Sequence, residues 1–230
     1  MFGLNTKKHD VALIPLVTLF DGKSTIAEQF RMLRSSIHFA EVDQKIKTLA
    51  VTSSSMSEGK SMCASNLAVV FAQAESKVLL VDADFRRPTL HLTWSVSNAK
   101  GLSDLLLHRE NTLSDYVKQS GVANLDLLTS GSKPPNPSEL FETQRMKEIL
   151  EETASQYDLV IFDTPPLTMV TDSQILSSRV DGTILVTRER KTKNQDLKQA
   201  IELLKQADAK ILGIIYNGKK TLGKNYSYTS

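Results

Sequence analysis

Short apolar runs recur along the chain at 48–52, 78–81, 125–128, 159–162, 183–186 and 211–216, separated by longer stretches in which apolar positions return every three or four residues. A short run that is apolar at nearly every position predicts a strand covered on both faces, as in a parallel sheet between helical layers. The intervening patterns predict helices at about 59–74, 101–107, 139–154, 171–178 and 194–207. Strand and helix alternating at this spacing predict an α/β fold, a doubly wound and mainly parallel sheet with helices on both faces. Ligands of such folds bind beyond the carboxyl ends of the strands. Ahead of the first run, Ser24 reads as the N-cap of a helix over 24–40, with Ile26, Phe30, Leu33 and Ile37 as its apolar stripe. Residues 1–22, with Lys7, Lys8 and an apolar stretch broken by Pro15, read as an arm lying on the domain. The domain itself is expected over 23–217, helix 24–40 included, and 218–230 as a polar, mobile tail.

The first run passes into Ser53, Ser54, Ser55, Met56, Ser57, Glu58, Gly59, Lys60 and Ser61, a stretch of mostly small residues that opens the next helix. A strand, a loop and a helix start in that order build an anion site. Backbone N–H groups converge on the anion, and the helix N-terminus adds its partial positive charge. In the phosphate-loop pattern Gly-x-x-x-x-Gly-Lys-Ser/Thr, Gly59, Lys60 and Ser61 match, and Ser54 stands where the first glycine belongs. Lys60 would reach the β- and γ-phosphates and Ser61 would complete the shell of a Mg²⁺ ion. Backbone or side chain of Ser55, Met56, Ser57, Glu58, Gly59 and Met62 would line the same site. A Ser/Thr-rich turn with a helix cap is the competing reading.

Two further strands end in carboxylates. Residues 78–81 run into Asp82, Ala83, Asp84, Phe85, Arg86, Arg87 and Pro88, and residues 159–162 run into Asp163, Thr164, Pro165 and Pro166. Asp82 and Asp84 then lie at a strand's carboxyl end, a place for a Mg²⁺ ligand or a general base; alternatively Asp82 caps the next turn and Asp84 pairs with Arg86 or Arg87. Asp163 fits the Walker B pattern, in which a strand-end acid holds a metal or its water. On this reading ATP and Mg²⁺ are the cofactors and Ser61, Asp82 and Asp163 the metal set.

Charge narrows the field little. With 28 Lys and Arg against 26 Asp and Glu, the net charge is +2, which gives nucleic-acid binding no support. Cys63 is the one cysteine, so no intramolecular disulfide is available and a reducing, cytoplasmic setting is expected. No apolar run approaches the roughly 20 residues that span a bilayer, and 1–9 lack a signal peptide's apolar core. Membrane association is therefore expected only through a partner. His9, His38, His91 and His108 show no metal-ligand spacing, Trp94 reads as packing and Tyr216 as structural.

Taken together, the Gly59-Lys60-Ser61 loop, the Asp82-x-Asp84-x-Arg86-x-Pro88 run and Phe162-Asp163-Thr164-Pro165-Pro166 resemble the Walker A, A′ and B motifs of the bacterial tyrosine kinases of capsule and exopolysaccharide synthesis. Thr129-Ser130-Gly131 followed by Pro134-Pro135-Asn136-Pro137-Ser138-Glu139-Leu140 resembles a loop typical of that family, and the resemblance runs from about residue 24 onward. It implies a fold related to the Min and Par ATPases, and a catalytic set of Lys60, Asp82, Asp84 and Asp163. Asp82 would be the base that takes the tyrosine proton, and Arg86 either a neutraliser of phosphate charge or a structural ion pair. It also implies that Glu28, Arg31 and Arg34 on the first helix assemble copies into a homo-oligomer, a ring in the family, against the alternative of a solvated charge ladder. The trio is expected beside the apolar stripe, free to meet another subunit. Further implications are that Tyr226 and Tyr228 are phosphorylated by neighbouring copies and that Asn217 reads the adenine edge. A separate membrane activator of the polysaccharide co-polymerase type and a cognate tyrosine phosphatase would be partners, with recruitment to the inner face of the cell membrane. The rival function is a Min- or Par-like ATPase that positions a partner without phosphorylating protein.

Overall fold

The computed structural model describes residues 14–40 and 45–218. Its α-helices and strands run, in chain order, α1 (Val17–Phe20), α2 (Thr25–Phe39), β1 (Thr48–Ser53), α3 (Lys60–Ala72), β2 (Val78–Asp82), α4 (Leu90–Thr93), α5 (Leu102–Leu107), β3 (Lys118–Gln119), β4 (Leu125–Leu128), α6 (Pro137–Glu142), α7 (Gln144–Gln156), β5 (Leu159–Asp163), α8 (Asp172–Ser177), β6 (Gly182–Arg188), α9 (Asn194–Gln206) and β7 (Ile211–Asn217). The strands form one sheet in the order β3-β4-β2-β5-β1-β6-β7. Every pairing is parallel except the short β3–β4 ladder. The predicted doubly wound α/β architecture is the observed one.

Period-2 geometry sends alternate strand residues to opposite faces of the sheet, and Leu185 of β6 packs in a further cluster with Ala200 and Leu204 of α9. Leu49, Val51, Leu80, Ile161 and Val186 face the layer of α2 and α3, while Ala50, Leu79, Val81, Val160 and Phe162 face α5 to α8. All residues of β1, β2 and β5 are buried, as continuous apolar runs require of central strands. β7 is one of the two edge strands and leaves Ile214 and Tyr216 exposed, with Tyr216 in the ladder opposite Thr187. Trp94 is 8% exposed and packs as expected.

Several boundaries differ from the sequence pattern for identifiable reasons. The helix predicted over 139–154 is two helices, broken at Thr143. Its hydroxyl donates to the Leu140 carbonyl at 2.7 Å and accepts from the Met146 N–H at 3.2 Å, ending α6 and capping α7 with one side chain. On α2 the buried residues are Ala27, Phe30 and Ile37, with Ser24 as N-cap accepting from Ala27 N–H. Ile26 is 48% exposed and does not belong to the stripe. The docked face keeps Phe30, Leu33 and Ile37 and takes in Ala27 and Arg34. Ahead of α2, Asn66 in α3 ties down residues 15–18: its Oδ1 accepts from Thr18 N–H and its Nδ2 donates to the Pro15 carbonyl.

Candidate active site

The sheet register brings the three motifs together. β5 lies between β1 and β2, so the phosphate loop and the A′ motif are not on neighbouring strands; Asp163 sits between them. In register, Asp163 pairs with Val51 on one side and with Asp82 on the other. Two carboxylates are thereby set side by side at the carboxyl edge of the sheet, both fully buried, with Asp84 two residues on and 4% exposed.

Lys60, the first residue of α3, supplies the charge that holds this cluster. Its Nζ lies 3.0 Å from Asp84 Oδ2, 3.3 Å from Asp163 Oδ1 and 3.3 Å from Ser61 Oγ. Burial acts to lower the Lys60 pKa, but Asp163 and Asp84 outweigh it and the net shift is upward. Burial raises the Asp163 carboxyl in spite of the facing lysine. The Asp82 carboxyl is pushed up to about 8, first by burial and next by the charge of Asp163.

The carboxylates are not equivalent. Asp82 Oδ2 accepts from the N–H groups of Thr89 and Leu90, and Oδ1 accepts from Asp84 N–H, so it does cap the turn that leads into α4. Asp84 Oδ1 accepts from the N–H groups of Arg86 and Arg87. Asp163 Oδ2 is buried with no hydrogen-bond partner. An orphaned carboxylate oxygen near the Ser61 hydroxyl fits a Mg²⁺ ion, which commonly takes one or two protein oxygens and fills its shell with phosphate and water. Among the described residues no group of three or more His, Cys, Asp or Glu stands ready to hold a metal. Arg86 makes a two-point contact with Asp172 at 3.1 and 3.3 Å, so of its two possible roles it takes that of a structural ion pair.

The phosphate loop carries two left-handed residues. Gly59 has φ 99°, and a Cβ there would collide with the Asn217 amide, whose Nδ2 donates to the Glu58 carbonyl at 2.9 Å. Asn217 is thus seated on the loop itself. Ser57 has φ 58°, a conformation that costs a residue with a Cβ about 1 kcal/mol or more. Ser55 N–H donates to the Glu58 carboxylate, and the Glu58 side chain, fully buried, turns away from the loop's mouth. Its role is therefore to brace the loop, with only its backbone left to line a ligand. Met56 is 38% exposed at the rim and Met62 packs against the core beside Gly59.

On α2, Glu28 and Arg31 form an exposed i,i+3 pair at 2.8 Å, and Arg31 also donates to the Gly22 carbonyl. Arg34 differs from the expectation: its Nη1 donates to the Val70 carbonyl at 2.8 Å, in the last turn of α3. That carbonyl has no intrahelical partner, so Arg34 caps α3 of its own chain. Tyr226 and Tyr228 lie outside the described residues. Sequence reasoning missed Asp172 and Thr192: one is a helix-start acid like many others, the other a threonine in an unremarked loop.

The AAA domain family matches residues 46–214. Tyrosine-protein kinase YwqD of Bacillus subtilis is 45% identical over 93% of this chain and 89% of its own length. The chain belongs to the bacterial tyrosine kinases. Another member, tyrosine-protein kinase etk of Escherichia coli, is 36% identical over 97% of this chain but only 31% of its own length. The solved kinase domain of E. coli ETK superposes with a TM-score of 0.86 at 36% identity, covering 97% of this chain and 88% of that one. The septum site-determining protein MinD of Pyrococcus horikoshii, solved with Mg-ADP, has a TM-score of 0.63 at 23% identity over 74% of this chain and 69% of that one. At that distance the likeness is one of fold, so it lends the ATPase switch no support of its own. Within this kinase family, the described residues contain no helix long and apolar enough to cross a membrane.

Proposed function

We propose that the chain is an ATP-dependent protein-tyrosine kinase that phosphorylates Tyr226 and Tyr228 of a neighbouring copy and so regulates capsular or exopolysaccharide synthesis or export. The observation that carries this reading is the Lys60–Asp84–Asp163 cluster at the mouth of a phosphate loop, in a chain 45% identical to a tyrosine-protein kinase. Lys60 is placed to offset negative charge on the β- and γ-phosphates. Ser61 and the unpartnered Asp163 Oδ2 would hold Mg²⁺, with Asp82 beside them. When bound, that ion supplies charge neutralisation at the phosphoryl oxygens.

Deprotonation of the acceptor falls to Asp82. A tyrosine hydroxyl has an unperturbed pKa of about 10 and is a weak nucleophile near neutrality. Asp82 Oδ2 already accepts two N–H groups, whereas Oδ1 accepts one and keeps a place for a proton. Burial raises the proton affinity of the Asp82 carboxylate, which makes its ionised form the stronger acceptor for that proton. Asp84 orients Lys60 through their 3.0 Å contact. Asn217, seated on the loop at Glu58, is near enough to the site to read the base.

Exposed Glu28 and half-buried Arg31 would assemble copies through α2, with Arg34 acting from within its own chain. A separate membrane protein of the polysaccharide co-polymerase type would activate this chain and recruit it to the membrane from the cytoplasm. A cognate phosphatase would reverse the modification. The test mixes a Lys60→Met chain with an active chain whose Tyr226 and Tyr228 are Phe, adds ATP and Mg²⁺, and looks for phosphotyrosine by mass spectrometry. Phosphate on Tyr226 and Tyr228 of the Lys60→Met chain is expected. ATP hydrolysis without phosphotyrosine would instead establish the positioning ATPase.

A further inference from the structure

A phosphate loop without its first glycine, and with serine in a left-handed conformation, needs something to hold it. Glu58 shows what does. Its buried carboxylate accepts from Ser54 Oγ at 2.9 and 3.0 Å and from Ser55 N–H at 2.9 Å. Its last partner comes from the loop between β6 and α9, where Thr192 Oγ1 donates to Glu58 Oε1. The direction of that bond is fixed, because Thr192 Oγ1 accepts from the Arg188 N–H at 2.8 Å and so has its single O–H free to point at the carboxylate. From the end of β6 and from the same loop, Arg188 Nη1 and Lys191 Nζ reach the Ser57 carbonyl at 3.0 and 3.2 Å.

We propose that Thr192 and Glu58 form a latch that keeps the phosphate loop in its nucleotide-binding shape, which makes Thr192 a positioning residue on an element outside the Walker motifs. The proposal rests on the reading of residues 54–61 as the nucleotide site. A buried carboxylate is stable only while its acceptor positions are filled. With the latch in place the left-handed Ser57 is held before ligand arrives, so nucleotide meets a preformed loop; without it, only a fraction of molecules is competent and apparent affinity falls by that fraction.

Thr192→Val keeps the shape and removes both the donor and the acceptor. Thr192 is half-buried in a loop, so the fold should survive. ADP affinity, measured by calorimetry on the full chain, should weaken about tenfold, equivalent to about 1.4 kcal/mol. The KM for ATP should rise by a similar factor while kcat stays within about twofold, because nucleotide re-imposes the loop's shape once bound. Thr192→Ser should restore both, and Glu58→Gln, which keeps the side chain's length, should weaken ADP binding in the same direction. Unchanged ADP affinity in Thr192→Val and Glu58→Gln would overturn the latch, as would a Thr192→Val that loses kcat and melting temperature with affinity intact. A wild-type chain with no affinity for ADP would overturn the nucleotide site itself.

Discussion

The Arg86–Asp172 pair should respond unequally to loss of its two partners. The Asp172 side chain is 0% exposed and the Arg86 side chain 43% exposed. Arg86→Met keeps the aliphatic stem but leaves a fully buried carboxylate with no cation. Breaking a buried pair in this way costs about 3–5 kcal/mol. The position of Asp172 in the first turn of α8 returns part of that through the helix dipole. A net loss of about 2–3 kcal/mol is therefore expected. Asp172→Asn leaves an arginine that can swing into water, and its contact was already screened on the exposed side, so about 1 kcal/mol is expected. With a urea m-value of about 2.5 kcal/mol/M, the unfolding midpoint should fall by about 1 M for Arg86→Met and about 0.4 M for Asp172→Asn. Equal shifts, or a larger one for Asp172→Asn, would refute the assignment of the cost to the buried carboxylate. The pair anchors the segment whose Arg86 and Arg87 amides hold Asp84, so both variants should also lose kinase activity.

Three other outcomes follow from the site's geometry. Asp82, with a folded-state pKa of about 8 against an ordinary 3.8, binds more proton folded than unfolded between those values, so its contribution makes nucleotide-free stability fall as pH rises from about 4 to about 8; urea titrations at pH 5, 6.5 and 8 should show this slope and Asp82→Asn should flatten it. Gly59→Ala should abolish nucleotide binding as read by calorimetry, because it adds a Cβ at φ 99° against the Asn217 amide; wild-type affinity would refute the close packing. Arg34→Ala should lower the stability of the isolated chain by about 1 kcal/mol through loss of the α3 cap, whereas Glu28→Ala with Arg31→Ala should leave stability within about 0.5 kcal/mol and lower the oligomer mass in light scattering.

What is legible in the sequence is what depends on local pattern. The β1, β2 and β5 runs are apolar at nearly every position because each is covered on both faces, and each ends at the residue where the chain must leave the sheet for water or ligand. The pattern alone therefore places Ser54, Asp82 and Asp163 at the sheet's carboxyl edge. Strand order is a long-range property and is not written locally. Nothing in residues 78–84 says that β5 lies between them and the phosphate loop, yet this insertion is what sets Asp163 against both Asp82 and Lys60.

The same limit explains the one misassigned residue, Ile26, on the α2 stripe. A period of 3.6 leaves open which flank a stripe through Phe30, Leu33 and Ile37 takes in, and Ile26 fits it as well as Ala27 and Arg34. The choice between them is made by a donor and acceptor distant in sequence: α3 ends with an unpaired carbonyl at Val70, and a guanidinium can cover it while its stem lies along the apolar contact. Thr192 is the extreme case. A threonine in a polar loop carries no signal, and it acquires a role only because β6 and the phosphate loop emerge side by side at the same edge of the sheet. The departures of this loop from the glycine pattern and the bonds that reach it from residues 188–192 are thus two aspects of one arrangement: where the backbone is less free to adopt the phosphate-binding shape, side chains from the neighbouring strand end impose it.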